Sequence, residues 1–130
     1  MNQGAQDENA YAFIDDIRRL EHINERYLPN NKKIDKAYAV FLTNFKKYRY
    51  GFDGDIWGNY SVEENKIIQG MLYFGKNSLE HRGRKAINLL GSYKLEWNNY
   101  PLNNYQDYKD LKNGYCPGFS YTIVEIKPKK

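Results

Sequence analysis

The stretch that decides the fold is KAYAVFLTN, residues 36–44. From Ala37 to Leu42 it is nearly unbroken in apolar character, which suits a β-strand covered on both faces. The segment before it has a different period. Between Asp7 and about Tyr27, Ala10, Phe13, Ile14, Ile17, Leu20 and Tyr27 recur at helical spacing, with Asn24 as a polar lapse. Asp15, Arg18, Arg19, His22 and Arg26 make the opposite, solvated face. Pro29, followed by Asn30 and Asn31, ends that helix. A helix followed closely by a buried strand is half of a βαβ unit, and no strand precedes the helix here. KAYAVFLTN is therefore expected to be the innermost strand; were the chain a stand-alone module, its orphaned side should be covered by a partner chain or a second copy.

Downstream, residues 45–65 are rich in Gly, Asn and charge and read as a long loop, with a helical turn near Val62–Asn65. Three strand-like segments follow: KIIQGMLYFG (66–75), INLLGSYKLEW (87–97) and FSYTIVEIK (119–127). In the second, Leu89, Gly91, Tyr93, Leu95 and Trp97 share one face, with Ser92, Lys94 and Glu96 on the other. Residues 98–118, polar and Tyr-rich with Pro and Gly punctuation, read as a second long loop. The expectation is an α/β (α+β) domain over 1–130, an amphipathic helix packed on a mixed sheet of about four strands. No repeat and no second domain are visible.

Composition bounds the function. The 130 residues are 41% hydrophobic and 16% aromatic, enough for one modest core and too apolar for disorder. Thirteen tyrosines supply much of the aromatic content, so many core or interface positions must also satisfy a hydroxyl. No run is long enough to span a membrane, and no charged-then-apolar leader is present. Cys116 is the only cysteine, which excludes an intrachain disulfide or a cysteine-based zinc site and fits a reduced thiol in the cytoplasm. The formal charge of +4 permits an anionic partner without demanding one.

Three patterns bear on chemistry. Glu125-Ile126-Lys127 lies on a strand-like segment, and residues two apart on a strand share a face, so both side chains can converge on one metal and one water. Such a site also needs an acid from a neighbouring strand, and Pro128 ends this one; a sheet edge running into a basic tail is the plainer reading. DGDIWGNYSVEE (53–64) can be counted as a calcium loop with Asp53, Asp55, Gly58 and Glu64 in ligand or turn positions. Trp57 stands where an oxygen ligand belongs, and no helix precedes the loop, so a solvated loop is the default. His22 and His81 lie far apart, with no metal-ligand spacing around either.

Basic residues cluster at Lys32-Lys33-Lys36, Lys46-Lys47-Arg49, Arg82-Arg84-Lys85 and Lys127-Lys129-Lys130, and Tyr48 and Tyr50 interleave with the second cluster. Phosphate contact with base stacking suits that mixture; solubility of a small domain explains it equally well.

Several segments together resemble bacterial proteins with a PD-(D/E)XK nuclease-like core. DIRRLE supplies Asp16, Ile17, Arg19, Leu20 and Glu21 of an Asp-Ile-x-Arg-Leu-Glu helix end. YAVFLTNF, IQGMLYFG, LLGSYKLEW and FSYTIVE then resemble that family's later strands, in order and over almost the whole chain. Phe45 replaces an Asp after Thr-Asn, Arg49 replaces a Trp, and the stretch between Tyr100 and Phe119 does not align. The resemblance implies a partial restriction-endonuclease-like fold, the C-terminal half of a nuclease whose metal-binding strands precede the helix. It implies no catalytic or metal residue in this chain and no hydrolysis by it alone, with Mg or Mn serving the complete parent protein. Asp16, Arg19 and Glu21 would then support the cleft or orient substrate, and Arg18, Lys46, Lys47 and Arg49 would contact the phosphates of DNA or RNA. The partner would be the missing N-terminal half. The rival reading is a stand-alone binding or interaction module, as a monomer or a homodimer, such as a defence or mobile-element accessory.

Overall fold

Ala10, Phe13, Ile14 and Ile17 fall on one stripe of α1 (Gln3–Glu21) and are all buried, so burial of that stripe holds the helix to the sheets. Arg18 and Arg19 occupy its last turn, where their charge complements the helix dipole. The computed structural model describes residues 3–26, 32–51, 61–73, 80–81, 84–100 and 115–130. After α1 come a 3-10 turn (Ile23–Glu25), β1 (Ala37–Phe45), the short α2 (Lys47–Tyr50), β2 (Ile67–Leu72), β3 (Glu80–His81), β4 (Arg84–Lys85), β5 (Ile87–Lys94), β6 (Trp97–Tyr100) and β7 (Tyr115–Ile126). This is an α+β architecture with one main helix. Among the described residues, no helix is long and apolar enough to cross a membrane.

The sheets are antiparallel, not mixed. Strands pair in the order β1-β7-β6 and as the ribbons β2-β5 and β3-β4, and each pairing among the described residues is antiparallel. Among the described residues KAYAVFLTN is accordingly an edge strand, and β7 is the central one. Nor is β1 covered on both faces. Ala39 and Phe45 are buried and Phe41 partly so, whereas Tyr38, Val40 and Leu42 are 55, 59 and 56% exposed. The apolar run conceals a period-two alternation, because both faces carry apolar residues while only one is packed. The expected loops are also shorter than their composition suggested. α2 interrupts the first, β6 and β7 take residues from both ends of the second, and 52–60 and 101–114 lie outside the described residues.

The helix also ends sooner than its periodicity suggested, at Glu21. Asn24 is no lapse: buried beyond the helix, it donates from Nδ2 to the carbonyls of Ile34 (2.8 Å) and Lys129 (3.2 Å) and accepts from the Ile34 amide (2.7 Å). One amide side chain thus ties the approach to β1 and the segment after β7 to the end of α1. The stop assigned to Pro29 lies outside the described residues.

Under α1 the inward faces of β1, β7, β6 and β5 form one core. The registers set Ala39 against Val124, Phe41 against Thr122, and Thr122 against Trp97. Phe41 is the hub, with ring centroids 5.2 Å from Phe13, 4.9 Å from Tyr48 and 5.8 Å from Trp97. The Trp97 indole N–H donates to the Val62 carbonyl at 2.9 Å, satisfying its polar edge inside the core.

Candidate functional site

Two strands flank α1, and the helix treats them differently. On the β5 side it is locked. The β2-β5 ladder slips between Gln69 and Gly70, leaving Leu90 and Gly91 of β5 unpaired by a strand. Glu21, 1% exposed, fills that gap with its carboxylate. It accepts from the amides of Leu90 (2.9 and 3.0 Å) and Gly91 (2.8 Å) and from the Tyr93 hydroxyl (2.6 Å). Bulge amides that lost their ladder partners regain an acceptor, and the buried charge gains three donor groups. A Cβ at Gly91 would lie 2.6 Å from the Tyr93 hydroxyl oxygen, so any larger residue must push the Tyr93 ring aside. Burial and then the hydrogen bond to Glu21 push the Tyr93 hydroxyl well above its ordinary pKa, keeping it a donor.

On the β1 side the helix leaves a groove. Two depressions run between α1 and β1, one past Asn9, Ala12 and Thr43, the other past Leu20, Ile23 and Tyr38. They meet at Phe13, Asp16 and Val40, so they form one trough along the free edge of β1. Phe13, packed edge-on against Phe41, supplies apolar floor, and Asp16 and Arg19 stand exposed on the helix wall. Val40 and Leu42 of β1, with Ile123 opposite Val40 on β7, continue the apolar surface onto the outer face of the sheet.

Of the residues singled out in DIRRLE, the structure brings Asp16 and Arg19 together in this groove, their charged groups 4.0 Å apart. Glu21 points elsewhere, into the β5 bulge, as an internal clamp. Arg18 lies on the other side of the helix and donates to Asp15 at 2.8 Å. Lys46 and Lys47 are exposed where β1 ends. Arg49 is not offered to solvent: its side chain is 12% exposed, and its guanidinium is spent internally. It donates to Glu64 (2.9 and 3.2 Å), Asn99 (2.6 Å) and Ser120 (3.3 Å), joining α2 to the turn before β2 and to β6 and β7.

That ion pair also occupies Glu64, the last ligand of the possible calcium loop; Asp53 and Asp55 lie outside the described residues. Glu125 and Lys127 sit at the end of β7, beyond the stretch that β6 pairs, so among the described residues Glu125 has a strand neighbour only in β1. Glu125 takes Lys36 at 3.3 Å and the Tyr38 hydroxyl at 3.3 Å, across the β1-β7 pair. The hydrogen bond from Lys36 is the main cause that lowers the Glu125 carboxyl below its ordinary pKa and raises the Lys36 ammonium. His22 contacts Glu25 at 3.1 Å, and the side chain of His81 lies outside the described residues. Among the described residues no three His, Cys, Asp or Glu side chains group as a metal site would.

Sequence reasoning missed the clamp. A Glu at a helix end normally reads as solvated, and only the unpaired amides of a bulge 69 residues away give it work. The glycines at 70 and 91 were the available signal, since Gly inside a strand pattern marks a bulge. Comparison of the chain with known protein families, curated proteins and solved structures finds no match, so a functional reading rests on this geometry and on the sequence resemblance alone.

Proposed function

We propose that this chain acts as a binding module whose working surface is the groove between α1 and the open edge of β1. One observation carries the reading: among the described residues β1 has a strand neighbour on one side only, and Tyr38, Val40 and Leu42 stand exposed along it. An edge strand with an apolar outer row is an association site unless something covers it. Natural domains blunt such edges with charge, proline or bulges, and the exposed centre of β1 carries none of these. The test is an NMR titration of isotope-labelled full chain with a neutral peptide of alternating valine and threonine. Shifts concentrated in β1 and along the groove wall of α1 are expected. Shifts confined to the depression around Arg18 and Lys85, or no binding at all, would contradict the reading.

The nuclease resemblance gives a second reading, favoured by the same open edge. In it, β1 is the seam at which the metal-bearing strands of a restriction-endonuclease-like sheet add, and this chain is scaffold with nucleic-acid contacts through Lys46 and Lys47. That reading expects no cleavage by the chain alone with Mg or Mn on duplex or single-stranded DNA. Cleavage that disappears on changing Glu125 or Lys127 would overturn it.

A further inference from the structure

The charges around the groove select its occupant. We propose that an extended segment of another protein, with alternating apolar residues flanked by acidic ones, adds to β1 as a new strand. This rests on the groove being the binding surface, and it adds the chemistry of the partner.

Backbone geometry sets the first requirement. β1 spans nine residues, Ala37–Phe45, about 30 Å of strand at the usual rise. An incoming strand gains hydrogen bonds from the free edge over Ala37–Thr43 and side-chain contact from its two flanks. On one flank lie Phe13 and Leu20 of α1 and Ile23 of the 3-10 turn; on the other the row Tyr38, Val40 and Leu42 continues the outer face. Alternate residues of the newcomer would meet each, which calls for apolar side chains at period two.

Charge sets the second requirement. Lys32, Lys33 and Lys36 precede the strand, Lys46 and Lys47 follow it, and all are exposed. Arg19 and Arg26 line the groove between them. Lys36 and Arg19 are already paired, with Glu125 at 3.3 Å and Asp15 at 3.1 Å, and Asp35 is paired with Lys130 at 3.2 Å. Asp16 stays exposed, 4.0 Å from Arg19, so the uncompensated positive charge lies at the two ends of the strand. Lys33 donates to the neutral Asn24 carbonyl at 3.1 Å, which leaves its charge uncompensated. Lys32, Lys46 and Lys47 have no acidic partner among the described residues. Both ends of the edge are therefore electropositive, and acidic flanks on a partner fix its register.

The same charges disfavour a second copy. Antiparallel pairing of β1 with itself about Val40 would bring Val40 beside its copy and turn Lys33 toward Lys47 at both ends. Like charges so placed oppose association. A nucleic acid would satisfy the lysines but neither the apolar row nor the strand's free amides and carbonyls.

The experiment titrates labelled full chain with three peptides sharing one valine–threonine centre, flanked at each end by two glutamates, two glutamines or two lysines. A fourth probe is a twenty-nucleotide thymidine oligomer. The glutamate peptide is expected to shift and protect Ala37–Phe45 and the groove face of α1. It should bind about tenfold more tightly than the lysine peptide at low salt, with the gap closing as salt rises. Joint replacement Lys46→Glu and Lys47→Glu, in a chain whose spectrum elsewhere is unchanged, should narrow or invert that ranking. Equal binding of the three peptides at β1 would overturn the acidic partner and leave the binding groove standing. Self-association through β1 without any probe, or oligomer binding at Lys46 and Lys47 with no peptide effect on β1, would overturn a protein-strand partner. Silence at β1 from every probe would overturn both the partner and the groove.

Discussion

β5 and β1 lie on either side of the same helix, yet α1 closes against one and stands open beside the other. Against β5 it spends a buried carboxylate, three donor groups and a glycine to seal an irregular ladder. Beside β1 it contributes Phe13 to the core and then leaves Asp16 and Arg19 exposed over a trough. Irregular backbone is what demands the seal, because unpaired buried amides are costly. From Ala37 to Thr43 the pairing of β1 is regular, and its far edge makes no such demand while water serves it, so it remains available. Rigidity on one side and availability on the other suit a domain that holds a strand out for pairing.

The largest expected effect breaks the sealed side. Glu21→Ala strands the amides of Leu90 and Gly91 and the Tyr93 hydroxyl, and should lower stability by about 3 kcal/mol or more, read by urea unfolding. A loss under about 0.5 kcal/mol, the range of ordinary surface changes, would mean the clamp is incidental. The second variant improves a flaw in the core between the two sides. The Thr122 hydroxyl is buried with no hydrogen-bond partner, opposite Phe41 and Trp97. Thr122→Val keeps the shape and should raise stability by about 1 kcal/mol, seen as a higher Tm; a lower Tm would reveal a partner for that hydroxyl.

On the open side, Val40→Lys combined with Leu42→Lys should change stability by no more than about 0.5 kcal/mol while abolishing peptide binding at β1. A large loss of stability would show that this row is packed, and the contrast between the two strands would fail. The smallest effect concerns the Lys36–Glu125 pair on the outer face. Because the Glu125 pKa is lowered on folding, its contribution is present above the ordinary carboxylate pKa and fades as pH falls through the lowered value. The raised Lys36 ammonium contributes below the ordinary lysine pKa and fades as pH rises through the raised one. Both groups are exposed, so the signal is a shift in the titration of Glu125 by NMR. Lys36→Met should return that carboxyl toward its ordinary range, and an unchanged titration would contradict the pairing.

Much of the closed side was legible in the sequence. The helical stripe from Ala10 to Ile17 follows from spacing alone; Leu89, Leu95 and Trp97 are buried as their alternation suggested, although the single strand expected over 87–97 divides into β5 and β6, in two sheets. The open side was not legible. Tyr38, Val40 and Leu42 are apolar but unpacked, so the continuous run pointed to an innermost strand, and only the pairing order makes it an edge. Arg49 shows the same limit with charge. Its cluster with Lys46 and Lys47 suggested phosphate contact, while its acceptors on Glu64, Asn99 and Ser120 come from distant segments that no local pattern announces. Of DIRRLE, Asp16 and Arg19 reach the groove, and Glu21 turns inward because a bulge needed its oxygens.

Amide hydrogen exchange of the free chain tests the central claim most directly. If β1 is open on its far side, amides within Ala37–Phe45 should alternate between slow and fast exchange, since successive residues point their N–H groups to opposite sides of the strand. Residues 120–122 of β7, flanked by β1 and β6, should be slow throughout. Uniform slow exchange along β1 would mean that its edge is already covered, and the account of an open strand held beside α1 would be contradicted.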